Sequence, residues 1–555
     1  MAAAGPRAGK ALRWEDGVKL IPLGGLGEFG ANSMLLASAT GESVLLDAGA
    51  AFSDLELFGV SYEIPDFSAL DAPPQAVLLT HGHDDHLKGL AHLASAFPGV
   101  LAYGSEPTVA RVRLSGSGAG PTPPATSLFP PGELLSVGPW SVEALGVSHS
   151  IPGTVMLRLR GEGVTLVVAT DFRLAPSALG ETTSLDALAA WGRDGVDVAL
   201  LDSTNALVST APPTESEVAS TLAELVAQAR GAVVGVTFAS HAGRFLQLAR
   251  AAVAAGRVVV PLGRGLDEML AVQVAAGGLG LPAGTVRAPR ELHRLPRERL
   301  VLVATGSQGE SGAAFTRLAV DGIPGFRLQR GDLIIHAARV IPGHERRLAK
   351  LFDHCVRRGA SVVTADQAPV HASGHPHGEE LENVLEVLRP RWVLPVHGRR
   401  RHLEAAAELA RRHGCHAVVV ENGQPVGWRH GELRPECAPC EIGRILVSDD
   451  GTAVDSALVR QRREMARSGV LTVVIPGARE GENGFGDPEL TAVGLVLPEN
   501  ERRQLVAGLK DELRRARQER RGDQEDLRST ITRWLRSELR RRSEGRPALL
   551  VVIVG

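Results

Sequence analysis

The chain has 555 residues, 44% hydrophobic and 22% charged, with 60 Lys and Arg against 63 Asp and Glu. That length implies several domains, and the ordinary composition excludes both a disordered chain and a disulfide-stapled miniprotein. A net charge of −3 excludes a histone-like polycation while leaving room for a local basic groove. The cysteines, Cys355, Cys415, Cys437 and Cys440, are too few for a secreted disulfide framework, and the lone Cys437/Cys440 pair lacks the second pair of a structural zinc site. No run approaches the roughly 18 apolar residues of a membrane span, and residues 1–13 lack the apolar stretch of a signal peptide. A soluble cytoplasmic protein with no membrane partner is expected.

Along the chain, short apolar runs at 19–22, 33–37, 43–47 and 76–80 are separated by Gly- or Asp-containing turns and read as strands. The glycine-rich segment 24–30 lacks a βαβ context and reads as a turn near the site, not a dinucleotide loop. Further strands are expected at 165–170 and 196–202, closed by Asp171 and Asp202. The pattern then changes to a helix at 215–229, a strand at 233–238, a helix at 244–255 and a strand at 258–261, the alternation of an α/β unit with a parallel sheet. Strand-plus-histidine segments return at 371–375 and 392–397, so one domain is interrupted by another. The expected boundaries are 1–208 and 365–448 for the interrupted domain, 209–364 for the insertion, 449–463 for a polar linker and 464–555 for a small C-terminal domain. That last domain should hold strands at 470–475, 490–497 and 548–554 and helices at 501–519 and 524–541. The arginine runs 514–521 and 540–542 are interspersed with acids and read as solvated helix faces, with oligomer contacts or RNA contact as the alternatives.

Chemistry concentrates in Thr80-His81-Gly82-His83-Asp84-Asp85-His86, directly after an apolar strand. So many imidazoles and carboxylates exceed what packing requires, although a solvated His-rich loop is the bland alternative. Imidazole suits Zn²⁺ and related ions, and carboxylate adds charge. A sharp loop can point His81 and His83 at one ion and Asp85 and His86 at a neighbour. His149, Asp171 and His397 are of the right types and in the right order to complete and bridge the pair. Each alone is more often an ordinary hydrogen-bonded residue. His371-Ala372-Ser373-Gly374-His375 reads as a phosphate cradle, since small residues let backbone N–H groups approach an anion and Ser373 and the histidines add donors; a plain glycine turn is the alternative. Asp202, by itself, is equally a strand-end cap.

The order HxHxDH, lone His, lone Asp, late His resembles the metallo-β-lactamase superfamily, and the insertion after Asp202 with segment 371–375 resembles its nucleic-acid-processing β-CASP branch. Within that branch the chain is similar to the ribonuclease J family in Pro22-Leu23-Gly24-Gly25-Leu26-Gly27-Glu28-Phe29-Gly30, Asp202-Ser203-Thr204-Asn205-Ala206, Ala304-Thr305-Gly306-Ser307-Gln308-Gly309-Glu310 and the C-terminal domain. The resemblance implies an α/β protein: an αββα metallo-β-lactamase sandwich interrupted by an α/β β-CASP domain, plus a small α/β C-terminal domain. It implies that His81, His83, His149 and Asp171 hold one Zn²⁺, and that Asp85, His86, His397 and the shared Asp171 hold the other. Mn²⁺ or Mg²⁺ could substitute, and an extra structural cation would sit near Asp449. Asp85, His375 and Asp202 would be catalytic, while Ser240, His241, Ala242, His371, Ala372, Ser373, Gly374 and His375 would bind substrate. The chain departs from common family residues at Asp202, often Glu, at His241, often Asn, and at Arg399-Arg400, where an acid commonly follows the glycine.

The function implied is a two-metal ribonuclease acting on single-stranded RNA in maturation and decay. It would run 5′-to-3′ from 5′-monophosphate ends, with endonuclease activity open to the same site. Partners implied are a second copy, joined through the C-terminal domain, and RNA-decay proteins. The alternatives are a small-molecule metallo-hydrolase, such as a thioesterase or lactonase, and a non-catalytic RNA-binding scaffold. The long insertion argues against the first and the complete ligand set against the second.

Overall fold

Successive positions of the apolar runs face different cores. In strand Val18–Gly24, Leu20 joins one buried cluster and Ile21 another, as do Leu36 and Leu35 in Ser33–Ala37 and Leu78 and Val77 in Ala76–Leu78. The same division separates Leu200 from Leu201 in Val198–Asp202 and Leu394 from Val393 in Trp392–Val396. Strands buried on both faces belong between layers. The shared cluster lies between an eight-stranded and a seven-stranded sheet. Helix Leu90–Ala96 closes the outer cluster of one sheet, and helices Leu185–Asp194, Gly378–Leu388 and Arg400–Arg412 close that of the other. This is the expected αββα sandwich. The computed structural model describes residues 17–115, 120–341, 343–436, 438–477, 485–518, 524–542 and 547–554. The N-terminal stretch 1–13, Cys437 and residues 519–521 of the first arginine run lie outside them.

Between Val198–Asp202 and Trp392–Val396 the chain builds a five-stranded parallel sheet, in the order Val258–Leu262, Leu300–Ala304, Val233–Val236, Leu333–His336, Ser361–Thr364. Helices cover both faces, bringing Phe315 and Leu348 to one and Leu222 and Phe245 to the other. Helix Glu215–Gln228 starts where it does because Thr214 and Glu217 form a reciprocal capping box. The chain then rejoins the sheet it left: Trp392–Val396 pairs parallel with Val198–Asp202, placing Val396 opposite Asp202, and Val164–Ala169 pairs parallel on the other side. Parallel strands thus end together at one edge, with Asp171, Asp202 and His397 at or just past their ends. Ligand sites form at such carboxyl-terminal edges.

A second compact unit comprises Ser53–Ser61 and the residues from Leu446 on. Its three-stranded sheet has Val470–Pro476 in the centre, antiparallel to Glu489–Val493 and parallel to Ala548–Val554. Helices Glu499–Gln518 and Gln524–Arg542 set Leu505, Leu509 and Leu513, and Leu527, Ile531, Leu535 and Leu539, against Leu471, Val473 and Ile475. Four-residue spacing is one helical face. Two expectations need correction. The strand expected over 490–497 stops at Val493, because Gly494 turns the chain at φ 65°. The expected linker 449–463 is ordered. Asp450 accepts hydrogen bonds from Ser448 Oγ at 2.6 Å and Thr452 N at 3.0 Å, closing a turn, and Asp455 caps helix Ser456–Ser468 by accepting from Ala457 N at 2.7 Å. The short polar residues that imitate a solvated linker are turn and cap residues. Arg514, Arg515 and Arg541 pair with Asp511, Glu512 and Glu538 on exposed helix faces. Among the described residues no helix is long and apolar enough to cross a membrane.

Candidate metal centre

Past strand Ala76–Leu78 the histidine-rich loop is pinned by backbone bonds: Ala48 N donates to His86 O at 2.7 Å, Asn32 N to Asp85 O at 2.9 Å and Ala50 N to Asp84 O at 3.1 Å. Gly49 is required there, since a Cβ would lie 1.7 Å from the Asp85 carbonyl oxygen. Asp171 and His397 leave their strands in left-handed backbone, at φ 52° and 59°. Such a conformation costs a non-glycine residue about 1–3 kcal/mol and re-aims its side chain. Asp202 supports the first by accepting Asp171 N at 3.1 Å.

The structure brings the predicted ligands together. His81, His83, His149 and Asp171 form one group and Asp85, His86 and His397 another, with ligand atoms in each within 4.8 Å of one another. His83 Nδ1 lies 3.0 Å from His81 Nε2 and 3.2 Å from His149 Nε2, and Asp171 Oδ2 lies 3.7 and 3.8 Å from the same two nitrogens. The other oxygen, Asp171 Oδ1, is 3.3 Å from His86 Nε2 and 3.7 Å from His397 Nε2, while Asp85 Oδ2 is 3.6 and 3.2 Å from them. One carboxylate therefore faces both groups. Metal–nitrogen bonds of about 2.0–2.1 Å at tetrahedral angles separate donor atoms by roughly 3.3 Å, which lies within the observed spread. Asp171 Oδ1 is buried with no hydrogen-bond partner among the described residues, which suits an oxygen reserved for a cation. The residues fit a metal-binding site.

Four of the imidazoles have their outer nitrogen tied. His86 Nδ1 bonds Asp47 Oδ2 at 2.8 Å, His149 Nδ1 bonds Gly374 O at 2.7 Å, His397 Nδ1 bonds Thr204 Oγ1 at 2.8 Å and His81 Nδ1 bonds Thr80 Oγ1 at 3.1 Å. Such ties fix the tautomer and leave the inner lone pair for a metal. Asp47 is held in turn by Thr80 N and Oγ1, each at 2.8 Å. Asn32 Nδ2 lies 3.3 Å from Asp85 Oδ2. The sequence reading gave no role to Asp47, Thr80, Thr204 or Asn32. Asp47 closes its apolar run as Asp171 and Asp202 close theirs, and that shared pattern is the usable signal; Asn32 has none.

Electrostatics divides the centre. Burial, then neighbouring imidazoles, holds His81 neutral and pushes His149 down to about 3. Across the site burial again opposes charge, but Asp171, Asp85 and Asp47 raise His86 well above its ordinary value, and Asp171, Asp85 and Asp202 raise His397 to about 9. The carboxylates on that side favour positive charge, which a bound cation would supply.

The phosphate-cradle segment lies against this centre. Ser373 Oγ accepts from Asn205 Nδ2 at 2.9 Å and His375 N at 3.2 Å, and Ser373 O accepts from Arg173 Nη1 at 2.6 Å. His375 Nδ1 bonds Asp202 Oδ2 at 2.9 Å. Ala372 is buried, and His371 packs edge-on to His241 with ring centroids 6.3 Å apart. Burial and Arg244 hold both rings neutral, His371 at about 3. His241 Nδ1 also caps helix Ala242–Ala254 by accepting Arg244 N at 3.1 Å, so segment 240–242 is a helix start as well as an expected substrate contact. Gln308 accepts Ile341 N and donates to Arg339 O, each at 2.8 Å, and Arg339 Nη1 reaches Asn205 Oδ1 at 2.7 Å. The segments singled out at 202–206, 304–310 and 371–375 are thus linked. Asp449 accepts a hydrogen bond from Ser61 Oγ and belongs to none of the ligand groups among the described residues. A Cβ on Gly374 would meet His149 Cε1 at 2.8 Å. Gly374→Ala is therefore expected to displace that ring and lower metal affinity about 10–100-fold, as outer partners of ligands do, in a metal titration with unchanged circular dichroism.

Family models cover the chain in order: the metallo-beta-lactamase superfamily over 26–175, the Ribonuclease J beta-CASP domain over 230–355, a Zn-dependent metallo-hydrolase RNA specificity domain over 363–420 and the Ribonuclease J C-terminal domain over 457–555. Ribonuclease J of Sinorhizobium meliloti is 33% identical over 507 residues, 87% of this chain and 86% of its own. The chain belongs to the ribonuclease J family. Ribonuclease J of Mycolicibacterium smegmatis is 34% identical over 417 residues, 74% of each chain, and that of Helicobacter pylori 27% identical over 553 residues, 97% of this chain and 80% of its own. A solved structure, a protein of unknown function from Enterococcus faecalis V583, shares the fold with a TM-score of 0.52 at 15% identity, covering 74% of this chain and 100% of that one. Membership of the ribonuclease J family makes the chain a metal-dependent hydrolase of RNA.

Proposed function

We propose that the chain digests single-stranded RNA from a 5′-monophosphate end in the 5′-to-3′ direction, releasing mononucleotides. It would use two Zn²⁺, one held by His81, His83, His149 and Asp171 and one by Asp85, His86, His397 and Asp171. The observation that carries this reading is the Asp171 carboxylate, with one oxygen toward each group of nitrogens. When bound, the cations would supply Lewis acidity, lowering the pKa of an attacking water toward about 7 and neutralising the phosphoryl oxygens. Asp85, whose side chain keeps 27% exposure against 1% for Asp171, orients that water and takes its proton. As the water oxygen bonds to phosphorus, the P–O3′ bond breaks and His375 Nε2 gives a proton to O3′. Asp202, on Nδ1, fixes the tautomer and stabilises the imidazolium.

Ser373, Gly374, His371, Ala372 and the 240–242 turn would hold the 5′-phosphate beside the metals. Internal cuts use the same chemistry on a strand that bypasses this pocket. Mn²⁺ or Mg²⁺ in place of Zn²⁺, a structural cation at Asp449, dimerisation through the C-terminal unit, RNA-decay partners and a cytoplasmic setting belong to the same proposal. Metal-loaded protein given end-labelled RNA is expected to release mononucleotides from the 5′-phosphorylated form and not from the 5′-hydroxyl form. Thioester or lactone turnover without RNA cleavage would favour a small-molecule hydrolase instead, and RNA binding without turnover a scaffold. Ser373→Ala is expected to reduce the preference for the phosphorylated end about tenfold, the worth of a hydrogen bond to a charged group, while sparing internal cuts.

A further inference from the structure

The glycine-rich turn between strands Val18–Gly24 and Ser33–Ala37 plays no part in that chemistry, yet it is built as if it had to hold a fixed shape. Gly27 N donates to Gly398 O at 2.9 Å, Gly398 N to Gly25 O at 3.3 Å and Leu26 N to Asn422 Oδ1 at 3.0 Å. Asn422 Nδ2 reaches back to Glu28 Oε1 at 2.6 Å, and Arg444 pairs with the same carboxylate. The turn is thereby fastened to the residue that follows His397. At its tip stands Phe29, a large apolar side chain left 40% exposed beside a polar centre.

The rings of the site form a cluster, and Phe29 adjoins it at His397. His149 lies 5.4 Å from His375, His375 lies 5.0 Å from His397, and Phe29 lies 6.4 Å from His397 and 5.1 Å from His402, all between ring centroids. The phosphate cradle bonds to His149 and contains His375, whereas the rings that Phe29 meets are His397 and His402. Arg399 and Arg401 flank His402 in the chain, and after burial Arg401 holds that ring below its ordinary value. Arg399 is exposed and has no ion-pair partner among the described residues. A rigid aromatic face with guanidinium groups nearby is how proteins hold single-stranded nucleic acid without regard to sequence, base on ring and phosphate on cation.

We propose that Phe29 is the stacking platform for the base of the nucleotide on the 3′ side of the scissile phosphate. This rests on the exonuclease reading above, because that reading sets the 5′ end at the cradle and so sends the following nucleotide past His397 to Phe29. Stacking of this kind is sequence-tolerant, as progressive digestion requires, and it holds the remaining strand in line while the terminal nucleotide departs.

The test uses metal-loaded wild-type, Phe29→Ala, Phe29→Leu and Phe29→Trp proteins and 5′-phosphorylated oligoribonucleotides with either a natural or an abasic second position. Phe29→Ala and Phe29→Leu are expected to raise KM about tenfold on the natural strand with little change in kcat, a typical base-stacking loss. Phe29→Trp should restore it. On the abasic strand the wild type should show the same KM as the variants, because the ring has nothing to stack on. An equal penalty for Phe29→Ala on both strands, or none on either, overturns the platform. Equilibrium binding of the same strands, made with a non-hydrolysable methylene-phosphonate first linkage, reads the same dependence without turnover. Failure of the wild type to cut RNA would therefore overturn the exonuclease reading, while base-independent binding by wild type and variants would overturn the platform.

Discussion

Asp171→Asn is expected to remove more than about 100-fold of the RNA-cleaving activity, beyond what loss of an outer partner of a metal ligand costs, and to lose at least one of the bound ions. The amide is nearly isosteric, and the contact that holds the backbone there, Asp171 N to Asp202, is retained. What disappears is the negative charge shared between two groups of imidazoles and one of the oxygens that faces them. Without that charge His86 and His397 lose the largest source of their raised basicity, so protons as well as metal should be held less tightly on that side. Elemental analysis of the purified variant beside a 5′-end assay measures both effects. Full metal content with full activity would refute a bridging role.

Asp202→Asn is expected to keep the metal and lose the chemistry. The carboxylate is fully buried and accepts Asp171 N at 3.1 Å, Thr204 N at 2.8 Å and His375 Nδ1 at 2.9 Å. Thr204 N uses Oδ1 while Asp171 N and His375 Nδ1 share Oδ2, so an amide that keeps its oxygen on Thr204 N turns its NH₂ group toward His375 Nδ1 and selects the wrong tautomer, at the cost of the bond from Asp171 N. General acid catalysis is worth about 10²–10⁴-fold, so kcat should fall in that range with KM little changed. A 3′-bridging phosphorothiolate, whose sulfur leaves without protonation, should recover most of the rate in Asp202→Asn and none in Asp171→Asn. No recovery in Asp202→Asn would remove His375 from the role of acid.

Much of the centre is legible in sequence because its donors follow apolar strands, and an acid or imidazole at the end of such a run is conspicuous. His81, Asp171 and His397 stand out on that ground. The insertion is legible through its strand-helix alternation, since Val233–Val236 and its neighbours are continuous apolar runs. What stays hidden is what folding brings from afar. Thr204 supports His397, Asn205 joins the cradle to Arg339, and Glu380 accepts Arg173 Nε at 2.7 Å beneath Ser373, yet none of these contacts has a local signature. The segment 449–463 shows the converse failure, because Asp450 and Asp455 have the composition of a linker and the hydrogen bonds of a turn and a cap.

The candidate ligand set is split by the insertion: His81, His83, Asp85, His86, His149 and Asp171 precede it, while His397 follows it, just past the strand that flanks Val198–Asp202. Chains emerge and fold from the N-terminus during synthesis. A nascent polypeptide must therefore release the entire inserted domain from the ribosome before its last histidine can arrive. Until then one half of the candidate centre lacks a donor and the seven-stranded sheet lacks Trp392–Val396 and His416–Ala417, so a nascent chain is expected to be inactive toward RNA.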